Sequence, residues 1–192
     1  MYESLARQLR HPERRVNVRA AHIVVQHAAV ETLGPPGRWR ALLLDWLRSK
    51  TGDYLGFEDA ILHFGLEKDV EGLRLALALP DADNRRYAVS ALAPLDLGAV
   101  IAHLRVEPDL SVLRAGLAAV HEVAPADTLG LAEQIGAFAR VSPLSDDPFV
   151  AYHQRELAAL LASFIHRRQV RQRALPDAEA ARLLALLPDR TR

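Results

Sequence analysis

The chain has 192 residues, half of them hydrophobic and a quarter charged, which is the balance of a folded domain with a sizeable core. Acidic and basic side chains number 24 each, so the formal net charge is zero and the basic excess usual in dedicated nucleic-acid binders is missing. There are no cysteines, which excludes a disulfide scaffold, a cysteine nucleophile and any cysteine-ligated zinc or iron–sulfur site.

The opening residues, Met1-Tyr2-Glu3-Ser4-Leu5, lack the basic-then-apolar plan of a signal peptide. No apolar run reaches the ~20 residues that span a bilayer. With the absence of cysteine, these features lead us to expect a cytoplasmic protein. Lys occurs only at Lys50 and Lys68, and so 22 of the 24 basic residues are Arg. Together with heavy Ala and Leu usage, that points to a GC-rich bacterial gene.

Helical periodicity runs through nearly the whole chain, punctuated by prolines and by Gly34-Pro35-Pro36-Gly37, and alternating strand patterns are nearly absent. A short helix is expected at about 2–10. Helix 13–33 places Val16, Ala20, Ile23, Val24 and His27 on one face and Arg15, Arg19, His22 and Gln26 on the other. Helix 38–49 carries Trp39, Leu42, Leu43, Trp46 and Leu47; helix 56–66 carries Phe57, Ile61, Leu62 and Phe64; helix 69–79 carries Leu73, Leu77 and Leu79. Helices 83–94, 96–106, 109–124, 127–140, 149–170 and 177–187 follow. Asp69, Asp83, Asp96, Asp109, Asp127 and Asp177 are the expected N-caps, because a carboxylate accepts from free first-turn amides and favours the positive end of the helix dipole. Short turns pair the ten longer helices into five hairpins within one domain, 1–192. The expected core includes Trp39, Leu43, Trp46, Ile61, Leu77, Leu92, Leu104, Leu113, Leu117, Leu131, Ile135, Leu161 and Ile165.

An arginine with small residues after it recurs in the first helix of several pairs: Asn17-Val18-Arg19-Ala20-Ala21, Asn84-Arg85-Arg86-Tyr87-Ala88 and Ser111-Val112-Leu113-Arg114-Ala115-Gly116. Arg86 and Arg114 are 28 residues apart, and Arg19 and Arg86 are 67 apart, close to two such units. In this the chain resembles the HEAT-repeat family. The second pair lacks the signature and the last is longer. The resemblance implies an all-α solenoid of about five antiparallel hairpins, with a concave face lined by second helices and no activity of its own.

Chemical motifs are sparse. Asp59 with His63 and His153 with Glu156 have chelating spacing, but each is a pair where a metal site needs three or four ligands, so structural or solvated histidines are expected and no metal or other cofactor. No nucleophile elbow, P-loop or dinucleotide fingerprint occurs, and no enzyme activity is expected. Two basic clusters stand out, Arg7, Arg10, Arg14, Arg15 and Arg19, and the run from His166 to Arg173. That run also reads as solvated cations at a helix C-terminus, which is the preferred reading. Trp39 and Trp46 with Asp45 and Arg48 invite comparison with HEAT-like DNA glycosylases, but both indoles fall in the apolar stripe and are expected in the core.

The expected function is therefore protein–protein interaction: a small scaffold, adaptor or assembly factor, with nucleic-acid binding as the alternative and a DNA-repair glycosylase-like enzyme behind it. The partner-binding positions expected on the concave face are Arg38, Arg48, Arg74, His103, Arg105, Glu133 and Arg140. Their positive balance favours an acidic protein segment.

Overall fold

A computed structural model describes residues 1–30, 37–49 and 54–172. The expected helix 177–187, its cap Asp177, and most of the Gly34–Gly37 turn lie outside the described residues. Everything described is helix or connecting turn, with no strand, so the chain is all-α. No described helix is long and apolar enough to cross a membrane. The chain divides into two compact units, Met1–Ala99 and a second beginning at Val100.

The first unit holds α1 (Tyr2–Leu9), α2 (Arg14–Val30), α3 (Arg38–Ser49), α4 (Tyr54–Leu66), α5 (Val70–Ala76), α6 (Ala82–Leu92) and the start of α7 (Leu97–Leu104). Helix α4 packs on both α2 and α6, α3 packs on α5, and α1 rests on α2 and α3. Alternate helices thus form two rows, α2–α4–α6 and α3–α5. Trp46, Phe57, Phe64 and Leu43 are fully buried, and Trp46 meets Phe57 with ring centroids 4.5 Å apart.

The second unit holds the rest of α7, α8 (Leu110–Val123), α9 (Thr128–Gln134), a 3-10 turn at Ala139–Val141, and α10 (Pro148–Gln172). Helix α10 packs on α8, α9 and the 3-10 turn. Gln154 fastens the preceding loop to it, donating to the carbonyls of Arg140 (3.0 Å) and Pro143 (3.1 Å) and accepting from the Ser145 amide (2.7 Å). Gly116 of α8 lies against Leu104, where a β-carbon would collide with the leucine side chain.

All thirteen residues expected in the core are buried. Asp69 and Asp109 cap α5 and α8, and Asp96 accepts from the Ala99 amide at the start of α7. Five expectations are corrected. The cap of α6 is Asp81, which accepts from the Asn84 amide at 3.1 Å, and Asp83 lies inside the helix. Asp127 occupies the N-cap position of α9 with no side-chain cap bond. The segment 127–140 is not one helix, because Gly136 adopts a positive φ of 68° and ends α9. The buried stripe of α2 is Asn17, Ala20, Ala21 and Val24, rotated from the expected one because the Asn17 amide donates to the Leu9 carbonyl of α1. Leu62, expected on the apolar face of α4, is half exposed.

Candidate interaction surfaces

The seven positions expected to meet a partner are mostly engaged with neighbours. In the first unit, the Arg38 guanidinium lies 3.9 Å over the Tyr2 ring. Arg48 pairs with Glu71 at 2.6 Å, and Arg74 Nε donates to Asp96 at 2.6 Å. Glu71 also receives Arg40, which makes a two-pronged contact with Asp69, so α3 and α5 share a network of two arginines and two carboxylates. In the second unit, His103 Nε2 is 2.7 Å from the buried Glu107 carboxylate, at ion-pair distance but out of line for a hydrogen bond. Arg140 donates to the Glu107 carbonyl at 2.7 Å, and Arg105 to Gln134 at 3.3 Å. Glu133 is exposed.

This pairing perturbs the carboxylates. Burial alone would raise the Asp69 carboxyl, but the hydrogen bonds from Arg40 and the Gly72 amide outweigh it and hold the group below its ordinary range. Asp96 is held low by the Ala99 amide and Arg74. Hydrogen bonds to Asp69 and Glu71 raise Arg40 further above its already high value.

The sequence-derived metal pairs are separated by other partners. Asp59 faces His22 at 3.6 Å, while His63 is 7% exposed and burial lowers its pKa. Glu156 lies 3.4 Å from Arg114, and His153 packs edge-on against Phe149 and Tyr152. Among the described residues no three His, Asp or Glu side chains converge as a metal would require. Trp39 and Trp46 are 5% and 0% exposed, so neither ring is available to stack on a base.

A different set of cations lines a surface hollow of the first unit. Arg14, Arg15 and Arg19 of α2, with His22 and Asp59, surround a shallow hollow of about 580 Å³ whose apolar floor is Val18 and Leu55. Arg15 and Arg19 are exposed, one helical turn apart, and have no carboxylate partner among the described residues. The other two arginines of the recurring signature are paired, Arg86 with Asp83 at 3.0 Å and Arg114 with Glu156. His22 is flanked by Gln26 at 2.9 Å and by Asp59. The sequence marks this face as the polar side of α2, but α4 adds Leu55 to Val18 of α2 in the apolar floor, and that pairing becomes visible only in three dimensions.

Two further hollows belong to the second unit. One, about 550 Å³, lies beside Pro108, Arg140, Phe149 and His153, with Phe149 70% exposed. The other, about 200 Å³, is bounded by His121, Leu129, Phe164, Arg167 and Arg168. No protein-family model matches the chain, and neither does any curated protein or solved structure.

Proposed function

We propose that the chain is a protein-interaction module of the stacked-hairpin, HEAT-like type, which takes an acidic segment of a partner protein on the α2–α4 hollow. The observation that carries this reading is the contrast between cations. Arg40, Arg48 and Arg74 each meet a carboxylate of the first unit, whereas Arg15 and Arg19 flank an apolar floor and pair with no carboxylate among the described residues, Asp59 of the same hollow facing His22. An acidic segment with one apolar residue would meet both the charge and the floor. The two rows, α2–α4–α6 and α3–α5, support the stacked-hairpin reading, since such stacks place first helices in one row and second helices in the other. In that arrangement Arg38, Arg48 and Arg74 belong to second helices, and their engagement with Tyr2, Glu71 and Asp96 moves the cationic contact to the first-helix side.

The test is capture by the full chain from cells of its source, with Arg15→Glu plus Arg19→Glu as the variant and parallel binding to duplex and single-stranded DNA. A captured protein whose acidic segment is required, and which the variant loses, supports the proposal. DNA retention lost in the variant, with no protein captured, moves the reading to nucleic acid. Equal capture by a folded variant rejects the hollow as the site.

A further inference from the structure

We infer that the second unit binds a small monocarboxylate with a single-ring aromatic body in the hollow between the entry to α8 and the first turns of α10, with Arg140 taking the carboxylate. The site is separate from the α2–α4 hollow and does not rest on the function proposed there. Pro108 and Leu110 at the entry to α8 and Phe149 and Val150 of α10 give the hollow apolar walls, and Arg140 reaches it from the 3-10 turn. His153 completes the lining from the second turn of α10. Its ring is set by two edge-on contacts, with Phe149 at 4.6 Å and Tyr152 at 5.2 Å between centroids. The enclosed Nδ1 of His153 has no hydrogen-bond partner, which is uncommon for a polar atom in a finished core. An acceptor or donor brought into the hollow offers that ring a partner.

Charge and size then select the ligand. Arg140 is half-buried, and its Nη1 donates to the Glu107 carbonyl at 2.7 Å, which holds the guanidinium in place. Among the described residues it pairs with no carboxylate, and the Nε–Nη2 edge keeps the two parallel N–H groups that match a carboxylate fork. The two acids beside it are engaged elsewhere. The Glu107 carboxylate is 1% exposed, accepts from the Asp109 amide at 2.9 Å and faces His103 at 2.7 Å. Asp109 Oδ1 caps α8, accepting from the Ser111 amide at 2.8 Å, the Ser111 hydroxyl at 2.6 Å and the Val112 amide at 3.2 Å. Asp109 nonetheless lines the hollow, and its charge beside a single arginine disfavours a dianion such as a phosphate ester and leaves a monoanion as the better match. The volume of about 550 Å³ lies within the ~300–1,000 Å³ of small-molecule pockets. The apolar walls and the exposed Phe149 ring then call for an apolar body, for which an aromatic ring is the closest complement.

The experiment titrates the full chain with phenylacetate, with phenylacetamide, which keeps the ring and loses the charge, and with acetate, which keeps the charge and loses the ring, while the His153 ring resonances are followed by NMR. Saturable shifts with phenylacetate at millimolar affinity or tighter are expected, and the amide and acetate should each bind at least about tenfold more weakly. Phenyl phosphate should also bind more weakly than phenylacetate. Arg140→Gln should weaken phenylacetate by at least about tenfold, the scale of a lost charge-assisted contact. If that variant does not fold, Phe149→Ala serves, because the ring is exposed; it should weaken phenylacetate by about three- to tenfold and leave acetate within about twofold. Arg155→Gln, on the exposed side of α10, should leave phenylacetate within about twofold. Equal affinity for phenylacetamide, tighter binding of phenyl phosphate, or unchanged affinity in the folded Arg140 or Phe149 variant would overturn the inference.

Discussion

Gly72 of α5 sits so close to the face of Phe64 that a β-carbon built on it would lie 2.5 Å from the ring's Cγ and 2.7 Å or less from both Cδ atoms. Phe64 is fully buried and packed, so its ring has no free side to retreat to. Gly72→Ala should destabilise the protein by roughly 1–3 kcal/mol, as overpacked cores do, even though alanine is the better helix former by about 1 kcal/mol. Urea unfolding of the two proteins checks this; a higher midpoint for the alanine variant would mean that the α4–α5 turn yields easily.

Trp46 is completely buried against Phe57, and its indole Nε1 has no hydrogen-bond partner among the described atoms. Its contribution is therefore packing. Trp46→Ala should cost about 3–5 kcal/mol, and Trp46→Phe much less, because the ring volume is largely kept and an unsatisfied donor is removed. A shared denaturant midpoint for parent and Trp46→Ala would contradict the packing around α3.

The core was legible in the sequence because helical spacing alone marks which leucines, isoleucines and tryptophans share a face. The failures have local causes. Asp81 and Asp83 both follow Pro80, and either could accept from a first-turn amide; pattern cannot say which starts the helix. The rotation of α2 turns on Asn17, a polar residue that is 1% exposed because the carbonyl of Leu9 satisfies its amide, and hydrophobicity gives no sign of such a partner. The cations were harder still. Arg48 and Glu71 are 23 residues apart and Arg74 and Asp96 are 22, so pairing that neutralises them depends on which helices pack together. Arg15 and Arg19, which pair with no carboxylate among the described residues, look no different in the sequence.

Acidification should weaken the fold in two stages. His63 binds its proton less readily when folded, because burial lowers it from its ordinary 6.5 and outweighs Glu67 and Asp69, which pull the other way. The unfolded chain then takes up more protons, so this contribution is complete above about pH 6.5 and is lost as pH falls below it. Asp69 has a depressed carboxyl; its contribution is present above its ordinary 3.8 and disappears as pH falls through the lower folded value. His63→Gln should flatten the upper stage of the stability–pH curve and Asp69→Asn the lower one. Chemical denaturation from pH 8 to pH 3 separates them; a parent curve unchanged between pH 7 and pH 5 relative to His63→Gln would show that the histidine stays hydrated.

Charge reversal should divide the arginines of the first unit by stability as well as by binding. Arg40 holds Asp69 and Glu71, and Asp69 also caps α5 through the Gly72 amide at 3.2 Å. Arg40→Glu would crowd three carboxylates at one helix start and strip the cap of its counter-ion. A solvent-exposed pair contributes at most about 1 kcal/mol, and removing the guanidinium while adding like charge should cost about 1–2 kcal/mol at low salt, less at high salt. Arg15→Glu with Arg19→Glu breaks no pair with a carboxylate, and the two exposed changes together should stay within about 1 kcal/mol of the parent. Denaturation of both variants at low and high salt checks the contrast. Loss of binding in the Arg15 and Arg19 variant can then be read as loss of contact, whereas the same loss in Arg40→Glu cannot be separated from a weakened α3–α5 seam. Comparable, salt-sensitive destabilisation of both variants would show that Arg15 and Arg19 serve the fold, and the α2–α4 hollow would lose its claim as a docking surface.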